Sequence, residues 1–257
     1  AAGTRLILDL PGLAPGADVA GTFYFAAAAQ DGRALWKTDG TVAGTRLVKD
    51  LFPGGRSGLT IYTPDGGLSL FTPVGDEEGG IIYLAADDGI HGTELWVTDG
   101  TEAGTRMIKD INPGPASSWP RNVFVQAGVL YFTADDGVHG LEPWRTDGTE
   151  AATTLVADVI TGPDPSRARV IGIDALGYYL TSQSPTAIWK KNFALPGAVM
   201  LHDRGVDEGQ SILFGSELLF RGWSPTAGEE LWTSTGTPPG TAQLVDLYLG
   251  PQSSAPE

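Results

Sequence analysis

The chain has 257 residues, 41% of them apolar, with 36 glycines, 18 prolines and no cysteine. Its 31 acidic and 16 basic residues leave a formal charge of −15, which argues against nucleic acid or an anionic membrane surface and leaves neutral or cationic partners. Without cysteine there are no disulfides or thiolate metal sites; the glycine and proline content leaves little room for long helices; no apolar run reaches bilayer-spanning length, so membrane insertion is not expected.

In chain order, residues 3–10 (GTRLILDL) match the later GTRLVKDL and GTRMIKDI, and so read as the last strand of a repeat unit. TFYFAAAA at 22–29 is an apolar strand, turned by Gln30-Asp31-Gly32 into ALWKTD. The first full copy of a recurring segment, GRALWKTDGTVAGTRLVKDLFPG, occupies 32–54. An insertion at 58–80, with Asp76-Glu77-Glu78 flanked by glycines, reads as an exposed loop. The second and third copies are HGTELWVTDGTEAGTRMIKDINPG at 91–114 and HGLEPWRTDGTEAATTLVADVITG at 139–162. A decayed copy, TAIWKKNFALPGAVMLHD, spans 186–203, and GEELWTSTGTPPGTAQLVDLYLG spans 228–250. Residues 251–257 read as a frayed tail.

One repeat resolves into four short runs: RNVFVQAG (121–128), VLYFTADD (129–136), LEPWRTDG (141–148) and ATTLVADV (152–159). Each is alternating or β-branched and bounded by turn residues, so the unit is a four-stranded antiparallel meander. The Asp-Gly pairs at 39–40, 99–100 and 147–148 sit between strand-patterned runs and read as hairpin tips. Trp36, Trp96, Trp144, Trp189 and Trp232 recur at steps of 60, 48, 45 and 43 residues, giving five meanders. Periods of this length point to a propeller. A β-solenoid is the alternative, but its coils are parallel and shorter. The expected fold is therefore all-β, a five-bladed β-propeller of four-stranded antiparallel blades at about 11–51, 52–111, 112–159, 160–203 and 204–249. Residues 3–10 are expected to close it as an extra strand beside 240–247.

The segment ELWVTDGTEAGTRMIKD resembles the ELWxxDGT repeat family of bacterial extracellular and cell-surface proteins. The match is specific in copies two and three, good in one and five, and poor in the fourth, which keeps only the aromatic of Ala187-Ile188-Trp189. The resemblance implies a propeller and a secreted or cell-surface location in a bacterium; it brings no catalytic residues.

Candidate sites concentrate where the second-to-third-strand loops meet the connections between repeats. ADDGIHG and ADDGVHG pair carboxylates with a glycine turn, which makes Asp87, Asp88, Asp135 and Asp136 candidates for calcium, against their plainer use as turn formers. No other cofactor is implied, and a calcium-independent fold is expected. His91 and His139 hold equivalent places and His202 lies on another strand, too few to build a tetrahedral zinc site. No nucleophile elbow or triad pattern is present, and nothing singles out a carboxylate pair for glycoside chemistry. The five repeated tryptophans read as core. Trp119 (SSWP) and Trp223 (RGWSP) stand outside the repeat and, with Arg221, Asp135 and Asp136, form the candidate ligand surface: indoles on which sugars stack, beside groups that bind hydroxyls. The function so implied is a non-enzymatic, lectin-like binding module with a glycan or surface-protein partner. The alternatives are a structural spacer from a larger adhesin, suggested by the out-of-phase start, and a glycan-active enzyme.

Overall fold

A computed structural model describes residues 9, 16–29, 32–54, 72–74, 80–183, 186–204 and 211–246. The described residues form five four-stranded antiparallel sheets, each a meander in chain order. The first holds β1 (Ala17–Val19), β2 (Thr22–Ala28), β3 (Arg33–Thr38) and β4 (Arg46–Lys49); the second holds β5 (Thr72–Val74), β6 (Ile81–Asp87), β7 (Thr93–Thr98) and β8 (Arg106–Met107). The third holds β9 (Arg121–Gln126), β10 (Val129–Asp135), β11 (Leu141–Thr146) and β12 (Thr154–Leu155). The fourth runs through β13 (Arg169–Ile173), β14 (Gly177–Gln183), β15 (Thr186–Asn192) and β16 (Val199–His202). The fifth runs through β17 (Ser211–Phe214), β18 (Glu217–Ser224), β19 (Gly228–Ser234) and β20 (Thr241–Val245). These are the five blades that the repeat spacing anticipates, and the fold is all-β. The proposed closing strand, the insertion's acidic cluster, Asp31 and the tail at 251–257 lie outside the described residues, Asp9 excepted.

The residues divide into two compact units, 1–137 with 145–154 and 138–144 with 155–257, the division falling within the third sheet. In the first unit Tyr24, Ala26, Leu35 and Val48 of the first sheet share a buried cluster with Ile82, Leu84, Ala86 and Trp96 of the second. In the second unit Tyr179, Ile188 and Leu201 of the fourth sheet meet Leu218 and Phe220 of the fifth. Strand alternation sends these side chains to one face. A register shift recurs at the tryptophan of the third strand, between Leu35 and Trp36, Ile188 and Trp189, and Leu231 and Trp232. The extra residue in the partner strand is Val48 in the first sheet and Leu201 in the fourth, both buried.

The TDGT segment is a seven-residue loop between the third and fourth strands, built by side chains. Asp99 Oδ1 accepts from Thr101 N at 2.8 Å and Thr101 Oγ1 at 2.7 Å, while Thr98 and Thr105 hydroxyls meet at 2.6 Å. Asp39 and Asp147 repeat this with Thr41 and Thr149. The loop also receives the preceding repeat: Lys37 Nζ donates to Gly100 O at 2.6 Å, Lys49 Nζ to Thr105 O at 2.6 Å, and Lys109 Nζ to Thr153 O at 3.0 Å. Basic residues at these positions thus tie neighbouring repeats together. The decayed fourth copy has instead a buried ion pair, Lys190 to Asp174 at 2.6 Å, with the ammonium 3.7 Å from the Tyr179 ring centroid.

Candidate functional site

In a four-stranded meander, the loop from second to third strand and the connection leaving the fourth strand share one end of the sheet. What joins them here is the glutamate of the ELW segment. Glu94 lies two residues before Trp96, hence on the same face of β7, and is fully buried. Its Oε2 accepts from Ser118 Oγ at 2.7 Å and Ile111 N at 3.2 Å; its Oε1 accepts from Ser118 N at 3.1 Å and Asn112 N at 3.3 Å. The carboxylate therefore gathers the backbone of the connection between the second and third sheets. Burial pushes its pKa up to about 7 against the opposing pull of these hydrogen bonds. Glu142, equally buried, does the same in the second unit, accepting from Val159 N at 3.1 Å and Ser166 N at 3.2 Å, and burial raises its pKa too. The connection passes so close to the preceding turn that a Cβ on Gly92 would lie 2.6 Å from Ala116 O, and one on Gly140 2.7 Å from Pro163 O. The His-Gly pairs of the repeat are the consequence.

Ser118 is held from both sides: its N–H also donates to Thr93 O at 3.1 Å, and its carbonyl accepts from Asp135 N at 2.8 Å. The next residue, Trp119, takes φ +51, a left-handed conformation that bulky side chains adopt only under constraint, and is 47% exposed. The structure thus brings Trp119 beside the end of β10, where Asp135 stands, as one preorganised feature of the first unit.

The other candidates fall as follows. Asp135 Oδ1 caps its own turn through Gly137 N at 2.7 Å, and Asp136 follows it in that turn. Asp87 Oδ1 accepts from Gly89 N at 2.7 Å; Asp88 Oδ1 accepts from Ile90 N and His91 N, both at 2.9 Å, and Asp88 Oδ2 is 2.7 Å from His91 Nδ1. These carboxylates serve the turn, and the His91 hydrogen bond to Asp88 holds the imidazole above its ordinary range. Among the described residues no group of three or more His, Asp or Glu side chains is placed to hold a metal ion.

Trp223 departs from expectation. It lies within β18 rather than in a loop and is half-buried, with the Arg204 guanidinium 5.8 Å from its ring centroid and its backbone N–H donating to Arg204 O at 3.2 Å. Arg221, two residues earlier on the same face, pairs with Glu229 at 2.9 Å, and Glu229 stands opposite Trp223 in the ladder. The second unit thus has an indole beside the Arg204 guanidinium, with the Arg221–Glu229 ion pair on the same face of its sheet; Trp119 belongs to the first unit. His202 lies against Trp232, 4.4 Å between ring centroids with the planes tilted by 44°, and burial lowers its pKa. Of the repeated tryptophans, Trp96 and Trp144 are buried, Trp36, Trp189 and Trp232 partly so.

Sequence reasoning missed the glutamate clamp. Its signal was a charged residue two positions before a core tryptophan, on the face that strand alternation sends inward.

No protein-family model and no curated relative matches the sequence. Similar solved structures include a prolyl endopeptidase (12% identity, TM-score 0.48, covering 92% of this chain and 36% of that one). Oligopeptidase B from Leishmania major is another (10%, 0.49, 94% and 35%), as is the computationally designed Ika8 protein (13%, 0.43, 93% and 62%). The chain spans 36% of the first of these. Likeness at this level carries neither activity nor ligand across.

Proposed function

We propose that this chain is a non-enzymatic binding module that recognises a neutral glycan at Trp119 and Asp135 of its first unit, with Trp223 and Arg221 of its second unit as a separate candidate contact. The observation that carries the reading is Trp119: a large indole, exposed, in a backbone conformation that glycine would occupy without strain. The fold gains nothing from an exposed indole there, whereas a ligand does. The apolar ring face suits sugar C–H groups, and the Asp135 carboxylate at the end of β10 can accept from hydroxyls. The formal charge of −15 favours a neutral over an anionic ligand. A secreted or cell-surface setting, as the repeat resemblance implies, would present such ligands.

The test is titration of neutral tetrasaccharides (cellotetraose, xylotetraose, mannotetraose and N-acetylchitotetraose) followed by tryptophan fluorescence. A saturable change with at least one is expected; none with any of them contradicts the reading.

A further inference from the structure

We infer that the residue after the clamped serine is the ligand-reading position of the repeat, and that Arg167 with Gln183 forms a separate subsite for the hydroxyls of a neutral sugar. The inference rests on the reading of Trp119 above. It starts from an equivalence that the sequence does not display. Ser166 N donates to Glu142 Oε1 at 3.2 Å, as Ser118 N does to Glu94 Oε1 at 3.1 Å. Ser166 O accepts from Gln183 N at 3.1 Å, as Ser118 O does from Asp135 N at 2.8 Å. Gln183 and Asp135 are each the last residue of a seven-residue second strand. Arg167, next after Ser166, has φ +51, the value of Trp119.

The left-handed conformation is not that of a two-residue hairpin turn; at Arg167 it accompanies a backbone N–H that donates to Leu141 O at 3.0 Å, a bond made by Ser118 N to Thr93 O in the first unit. Ala20 and Ala127 share it, but each precedes a glycine in a two-residue hairpin turn, where strand twist asks for positive φ at both positions. Asn122 is of a type that tolerates this region. Trp119 and Arg167 lie in connections between sheets, where glycine would fit without strain. Two repeats have there the two side chains richest in recognition chemistry, one a flat apolar face and the other a planar fork of donors. Both are exposed, while the serines before them are fully buried. A constant clamp with a variable, outward-facing residue is an arrangement for display.

The class of ligand follows from the groups. The Arg167 guanidinium supplies paired N–H donors at the spacing of adjacent sugar hydroxyls, and the exposed Gln183 amide can both donate and accept. Asp164, exposed three residues before Arg167, and the chain's overall acidity disfavour a carboxylated or sulfated sugar.

The experiment is calorimetric titration of whichever neutral tetrasaccharide binds the parent, repeated with Arg167→Gly and Gln183→Ala, at low and high salt. The inference expects the number of sugars bound by the parent to fall by one in Arg167→Gly, while the fluorescence change reported by Trp119 persists. Arg167→Gly should keep or raise the melting temperature, and Gln183→Ala should weaken the same site about tenfold. If Arg167→Gly fails to fold, Arg167→Gln replaces it. Unchanged stoichiometry and affinity in Arg167→Gly overturn the subsite but leave the Trp119 reading standing. Binding restricted to carboxylated sugars and lost at high salt overturns the neutral class. No binding of any neutral sugar by the parent overturns both.

Discussion

Glu94 and Ser118 are joined twice, through Ser118 Oγ to Oε2 at 2.7 Å and Ser118 N to Oε1 at 3.1 Å, with the carboxylate wholly removed from solvent. Four donors converge on this side chain, so truncating it takes this acceptor from Ile111 N and Asn112 N and leaves Ser118 only Thr93 O. Glu94→Ala should cost about 3 kcal/mol or more, read as a lowered denaturation midpoint. Serine substitution by alanine at 118 removes only the hydroxyl and should cost about 1 kcal/mol.

The same residue sets a pH dependence. With its folded pKa raised to about 7 from the ordinary 4.5, Glu94 holds its proton more tightly in the native state. The stabilisation this provides is fully present below the unfolded value and is lost as pH rises through 7. The stability of the parent relative to Glu94→Gln should therefore rise as pH falls from 8 to 5, by at most about 3 kcal/mol. His202, whose pKa is lowered by burial, acts with the opposite sign: the unfolded chain takes the proton first, so its contribution falls as pH drops below the ordinary histidine value. Melting curves of parent and Glu94→Gln at the same pH values cancel the His202 term. A gap independent of pH is the contrary result.

Glycines of the repeat separate strain from crowding. Gly54 has φ +79 with open space around it, and Gly54→Ala should cost about 1 kcal/mol from backbone strain alone. Gly100 has the same φ, but a Cβ there would lie 2.2 Å from Tyr24 Oη. Gly100→Ala should cost about 2 kcal/mol more, since the Tyr24 ring of the preceding sheet must shift. Equal destabilisation of the two variants would mean that the tyrosine contact is soft.

The architecture was legible because the fold repeats: five third-strand tryptophans, TDGT loops and DG tips are local signals multiplied by recurrence. Trp144, 6% exposed, sits where its period placed it. The site was legible only in part. Trp119 was visible as an aromatic outside the repeat, but Arg167 carries no such mark, since an arginine in a polar connection is unremarkable until its φ and its clamp are known. Trp223 misled because RGWSP stands where other repeats have the DDG turn, whereas pairing of Trp223 with Glu229 extends the strand through it. Glu94 was hidden by its charge, which reads as solvated when nothing shows the donors that arrive from 24 residues away.

Trp144→Ala should cost about 3–5 kcal/mol as a core truncation. Trp119→Gly should cost nothing and raise the melting temperature slightly, because glycine relaxes the positive φ and little buried area is lost. Parallel thermal denaturation of the two variants checks this; a Trp119→Gly variant as unstable as Trp144→Ala would place the indole in the core.

The most direct test is the affinity of Trp119→Gly, measured by calorimetry against the neutral tetrasaccharide that the parent binds. Side-chain removal without loss of stability should weaken binding at that site by tenfold or more. Affinity and stoichiometry equal to the parent's, in a variant that folds as well, would contradict a binding role for the exposed indole.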